Sequence, residues 1–265
     1  MATMAYITTN DSIQLHYTRK GSGTKTLVLV HGWQVSSAVW NLVADELSRK
    51  YQLIIVDLRG AGASNAAPGP YTVEQHSEDL FNLVQSLELK NFVLVGHSMG
   101  GAIAQRFAAD HCELLVGLIV IASVPASGLE LPADFQAFFR SAAGNRSQTE
   151  ALWKVFIANP LAAETFTMLL DSSMTVKPEA CLESFDSWRQ LNFADEVKRI
   201  MTPTLVIAPE ADNPMTPDFL REKIVALIPN SRLRVIEKTS HYAQLEQPQE
   251  LGKLITHFVD ELCSL

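Results

Sequence analysis

Two hydrophobic patterns take turns along this chain. One is a short run that is apolar at almost every position and rich in β-branched residues, at 26–30, 51–56, 91–95, 114–121 and 204–208. Such runs predict strands buried on both faces of a parallel sheet. The other is a helical stripe: Val39, Trp40, Val43 and Leu47 within 37–49, then Val73, Leu80, Leu83, Val84 and Leu87 within 72–88. A helical pattern also follows the 91–95 run, from Ala102 to Ala109, another passes through Phe219, Ile224 and Leu227, and a last one covers 248–262. Strand and helix in alternation predict an α/β fold, a mostly parallel sheet with helices on both faces. Before it, Tyr6, Ile13, Leu15 and Tyr17 alternate weakly and predict two strands joined at Asn10 and Asp11, with a turn at Gly21, Ser22 and Gly23. A short strand at 233–236 completes the sheet.

The alternation stops between 125 and about 198. That stretch carries no strand pattern, reads as helical and is studded with aromatic residues, among them Phe135, Phe138, Phe139, Trp153, Phe156, Phe166, Phe185 and Trp188. A helical insertion between two sheet strands reads as a lid. The expected organisation is a core in two parts, 1–124 and 201–265, with a helical lid at 125–200. Phe135, Phe138, Trp153 and Trp188 are the candidate lining of a substrate pocket.

The strongest chemical signal lies where the 91–95 run meets its helix. Gly96-His97-Ser98-Met99-Gly100-Gly101 puts a serine on a strand-to-helix turn, and the small residues two before and two after it leave room for a sharp, crowded backbone. A serine hydroxyl is a poor nucleophile until a base takes its proton, and the usual base is a histidine oriented by a carboxylate. On a strand–elbow–helix framework the acid and then the histidine follow the serine on loops after late strands. His241 directly follows the last strand, on the sheet edge where parallel strands also place Ser98. The loop after 204–208 holds two carboxylates, Glu210 and Asp212. Asp212 is preferred because it lies far enough beyond the strand to swing toward His241. An oxyanion needs two donors: the Met99 N–H at the start of the helix, and the Trp33 N–H in the loop His31-Gly32-Trp33-Gln34. His31 is expected to brace that loop. The turn at 57–64 lacks the spacing of a phosphate loop, so Asp57 and Arg59 are expected to pair or to cap backbone.

The chain has 265 residues, 47% of them hydrophobic, enough for a large α/β core and too apolar for a disordered segment. A net charge of −8 with no basic cluster argues against nucleic acid and anionic membranes as partners. Cys112, Cys181 and Cys263 show neither CxxC nor metal-ligand spacing, so no metal and no cofactor are expected. Cys112 and Cys263 fall in predicted helices, and buried or half-buried thiols in a reducing compartment are expected. The first ten residues lack the pattern of a secretory signal, and no apolar run reaches the ~18 residues of a membrane span, so the expected location is the cytoplasm. The partner is a small-molecule substrate; the sequence leaves open whether the chain forms a homo-oligomer.

With these pieces in place the chain resembles the α/β-hydrolase fold superfamily over nearly its whole length. The resemblance rests on His31-Gly32-Trp33, the turn at 57–64, Gly96-His97-Ser98-Met99-Gly100-Gly101, the strand at 204–207 with Asp212, and Ser240-His241. His31-Gly32-Trp33 and the stretch 187–193 are similar to arylesterases and cofactor-free haloperoxidases, although Gln34 stands where haloperoxidase-like members often carry proline. The stretch 69–75 is similar to 3-oxoadipate enol-lactonases. A serine at 98 separates the chain from epoxide hydrolases and haloalkane dehalogenases, which the family builds on an aspartate. The resemblance implies a serine hydrolase acting on a small, largely apolar ester or lactone. The same scaffold also hosts carbon–carbon hydrolases, lyases and cofactor-free oxygenases that use the His–Asp pair as a base, and a non-catalytic small-molecule receptor is the third reading.

Overall fold

The structure, a computed structural model, describes residues 2–262. Cys263 lies outside the described residues. Eight strands form one sheet: β1 (Thr3–Thr8), β2 (Gln14–Lys20), β3 (Thr26–Val30), β4 (Gln52–Val56), β5 (Phe92–His97), β6 (Leu115–Ile121), β7 (Thr204–Pro209) and β8 (Ser231–Ile236). Their spatial order is β1-β2-β4-β3-β5-β6-β7-β8. β1 and β2 form the antiparallel hairpin read from the sequence, and β2 runs antiparallel to β4; every later pairing is parallel. The central strands β3 to β7 are buried almost throughout, which is why their sequences are apolar at successive positions rather than at alternate ones.

Helices cover the sheet: α1 (Asn41–Leu47), α2 (Val73–Ser86), α3 (Met99–His111), and, between β6 and β7, α4 (Ala133–Ala142), α5 (Arg146–Val155), α6 (Ala163–Met174) and α7 (Pro178–Arg189). After β7 come α8 (Pro217–Leu220), α9 (Ala243–Glu246) and α10 (Pro248–Glu261). Thr72 starts α2, its hydroxyl accepting the Gln75 N–H at 3.2 Å.

Local detail differs from the sequence reading in three places. The stripe at 37–49 opens with a 3₁₀ turn, Ser37–Trp40, before α1 begins. The helix through Phe219, Ile224 and Leu227 is the short α8 running into a π turn, Arg221–Val225. α9 precedes the last helix and is parted from it at Gln247, just before Pro248, which has no N–H to extend a preceding helix. Among the described residues no helix is long and apolar enough to cross a membrane. Cys112 is half-buried and Cys181 buried, both as free thiols.

Candidate active site

Parallel strands bring their C-terminal ends to one edge of the sheet, and the candidate residues collect there. Ser98 sits between β5 and α3 at φ 55°, ψ −120°, a backbone conformation costly for a residue with a side chain. Hydrogen bonds hold it there. Its N–H donates to the Ile121 carbonyl at 2.9 Å, and its carbonyl accepts from Gly101 at 2.9 Å and Val124 at 3.1 Å. The flanking glycines are sterically required: a Cβ on Gly96 would lie 2.2 Å from the Gly100 carbonyl oxygen, and one on Gly100 would lie 2.4 Å from that of His31.

His241 follows β8, and its Nδ1 lies 2.8 Å from Asp212 Oδ2. A carboxylate can only accept, so Nδ1 carries the hydrogen and Nε2 is left free to take a proton. Asp212, rather than Glu210, therefore meets the histidine; Glu210 is exposed and accepts the Lys238 N–H at 2.8 Å. Ser98 and His241 line the same cavity. No hydrogen bond joins their side chains in this arrangement; such contacts often tighten only around substrate.

His97, which the sequence reading left without a role, supports His241 from below. Its Nε2–H donates to the His241 carbonyl at 2.8 Å, and the two rings lie 4.8 Å apart. Burial, with the His241 charge adding, pushes the His97 imidazole well below its ordinary basicity, so it stays neutral. Its place beside Ser98 in the motif was the available signal. Tyr242 also lines the cavity, and burial followed by the Asp212 charge raises its phenol well above the usual range, keeping it protonated.

Among the described residues the backbone N–H groups of Trp33 and Met99, expected from the sequence to serve as oxyanion donors, form no hydrogen bond. The Met99 N–H is free because it opens a helix; the Trp33 N–H is free in a buried loop. His31 braces that loop as expected. Its Nδ1–H donates to the Gly32 carbonyl at 2.9 Å, and its Nε2 accepts the Leu58 N–H at 3.0 Å. Burial outweighs the nearby Asp57 charge and the Gly32 contact, lowering its pKa, and the neutral ring can do both tasks at once.

The cavity above Ser98 is a narrow slot of about 30 Å³ between the sheet edge and helices α4, α5 and α7. Phe135, Trp153 and Trp188 line it. Phe138 does not. α4 turns about 100° per residue, so Phe135 and Phe139, four apart, share the inward face, and Phe138 is carried off it. Phe156 and Met215 add to the apolar wall, with the Phe156 ring 5.4 Å from the His241 ring.

The other polar candidates have structural partners. Asp57 accepts from His16 Nδ1 at 2.9 Å and from the Ser37 and Ala63 N–H groups at 2.8 and 3.0 Å, while Arg59 pairs with Asp79 and Asp11. His111 ends α3 stacked on Phe81, and His257 is exposed beside Glu261. Among the described residues no group of three His, Cys, Asp or Glu side chains is placed to hold a metal ion.

Comparison with known proteins agrees with this framework. The chain is 28% identical to epoxide hydrolase 3 of Xenopus tropicalis over 97% of its own length and 77% of that protein's. It is also 28% identical to the pimeloyl-[acyl-carrier protein] methyl ester esterase of Aeromonas hydrophila, over 88% of this chain and 94% of that one. The solved structure of a bromoperoxidase from Bacillus anthracis superposes with a TM-score of 0.89 at 23% identity, covering 98% of this chain and 100% of the other. These relatives carry three different activities, so likeness at this level fixes the framework and not the substrate. Residues 27–254 match the alpha/beta hydrolase family, and the chain belongs to it.

Proposed function

We propose that this hydrolase is a serine esterase or lactonase that cleaves a small, largely apolar carboxylic ester through an acyl-enzyme on Ser98. The observation that carries the reading is a strained serine sharing one apolar slot with a histidine already oriented by a buried carboxylate. His241 Nε2 takes the Ser98 proton as Oγ attacks the acyl carbon. Asp212 holds the imidazole in the tautomer required and stabilises its cation. The Trp33 and Met99 N–H groups receive the oxyanion. The protonated His241 gives its proton to the departing alcohol oxygen, and water, deprotonated by the same ring, releases the acid. The insertion at 125–200 acts as the lid, and its aromatic wall selects apolar acyl or alcohol groups. A serine at 98 distinguishes the chain from the epoxide hydrolase among its relatives, a class that by resemblance relies on aspartate.

A panel of short acyl, aryl and lactone substrates tests the reading, together with a fluorophosphonate probe. Wild type should turn over at least one ester or lactone and label at Ser98. Ser98→Ala should lose labelling and at least about 10³-fold in kcat. Turnover that survives Ser98→Ala would point instead to the His–Asp pair acting as a base without an acyl-enzyme.

A further inference from the structure

Building on the esterase reading, we propose that Gln34 is a positioning residue that ties the Trp33 oxyanion donor to the helical insertion. The Trp33 N–H belongs to the peptide plane it shares with the Gly32 carbonyl, and in a trans peptide the two point in opposite directions. His31 holds the carbonyl end of that plane. A side chain at Gly32 would touch the Ser98 Cβ at 3.0 Å, so this plane lies directly against the nucleophile. What holds its other end is Gln34. Its backbone adopts φ 52°, unfavourable for a glutamine, and its side chain is almost wholly buried. The Nε2 group donates to the Ala142 carbonyl at the end of α4, at 2.8 Å, and to Thr149 Oγ1 on α5, at 2.9 Å. Thr149 is itself buried. One residue earlier, the Trp33 indole N–H donates to the Cys181 carbonyl of α7 at 2.8 Å.

Two consecutive residues of a core loop are thus fastened to three helices of the insertion, and the peptide that carries the free Trp33 N–H lies against the serine. Both side-chain hydrogen bonds of Gln34 run to the insertion. A shift of α4 or α5 would be passed through the amide to the peptide that receives the oxyanion. The lid helices then act on the chemical step as well as on access to the slot.

Gln34→Met keeps the length of the side chain and removes both hydrogen bonds. Its kcat for a short acyl ester should fall about 10-fold or more, since small misplacements of catalytic groups are costly in rate, while KM stays within about 2-fold. Affinity for a boronic acid, whose tetrahedral adduct places an oxygen in the oxyanion position, should fall by the same factor as kcat, and Ser98 should still label to completion. Should Gln34→Met fail to fold, Thr149→Val removes one of the two bonds and should show the same paired losses at about 3-fold. Unchanged kcat, or a loss confined to KM with boronic acid affinity intact, overturns the role of Gln34 alone. A wild type that neither turns over esters nor labels overturns the esterase reading and this proposal with it.

Discussion

The imidazole of His97 shows how one side chain can serve a site without taking a place in its proton relay. Asp212 orients the ring of His241, but the backbone carrying that ring is held by the hydrogen bond from His97 Nε2 to the His241 carbonyl. Burial keeps His97 neutral, and the carbonyl, which can only accept, places its single ring hydrogen on Nε2. Removing the donor should loosen His241 without emptying the slot. His97→Leu is expected to lower kcat for ester hydrolysis about 10-fold, and His97→Gln, whose amide can donate to the same carbonyl, to retain most of it. Equal losses in both variants would assign the effect to the volume of the ring rather than to its hydrogen bond.

At the scale of elements, what the sequence made legible follows from periodicity. β3 to β7 are buried on both faces, so their runs stand out, and the glycine-flanked serine marks the one sharp turn between β5 and α3. Where two residues of one loop compete, pattern has no purchase: only the path after β7 turns Asp212 inward and leaves Glu210 on the surface. The choice between Phe138 and Phe139 depends on the exact phase of α4. Contacts between loops distant in sequence leave no periodic trace at all, and Glu246 is the clearest case. Its Oε1 accepts the Ser240 N–H at 3.0 Å, and its Oε2 accepts the N–H groups of Ala158 and Asn159 at 3.0 and 2.9 Å. One carboxylate on α9 thereby joins the loop of His241 to the α5–α6 connection, two residues beyond Phe156. Hydrogen bonds to a charged group are worth about 1.5–3 kcal/mol each in favourable settings, and partial exposure lowers that here. Glu246→Ala should speed limited proteolysis in the 157–162 connection and raise the ratio of kcat/KM for bulky over short acyl esters. A proteolysis pattern identical to wild type would remove Glu246 as a clamp.

For the molecule as a whole, the buried histidines set the response to acid. His31, His76 and His97 are each driven below their ordinary pKa by burial, and His76, with the Arg59 and His31 charges adding, lies at about 3. The unfolded chain protonates these side chains near pH 6.5 while the folded chain does not, so the unfolded state binds more protons throughout the interval between. Their contribution to stability is complete above pH 6.5 and is lost progressively as pH falls toward the folded value. For His76 the loss by pH 5 amounts to about 2 kcal/mol. Asp57 extends the trend. Burial alone would raise its carboxyl, but the His16 hydrogen bond, the His31 charge and the Ala63 and Ser37 N–H groups outweigh burial and hold it at about 2. Its stabilising contribution is present above pH ~4 and disappears as pH falls through 2. Thermal unfolding should therefore show Tm falling from pH 7 to 5, before the carboxylates titrate. His76→Gln, which cannot take up a proton, should reduce that fall by roughly 4–8 °C, the equivalent of about 2 kcal/mol in a chain of this size. A Tm that is flat over this interval in wild type, or a slope untouched by His76→Gln, would show that these imidazoles are solvated in the native protein.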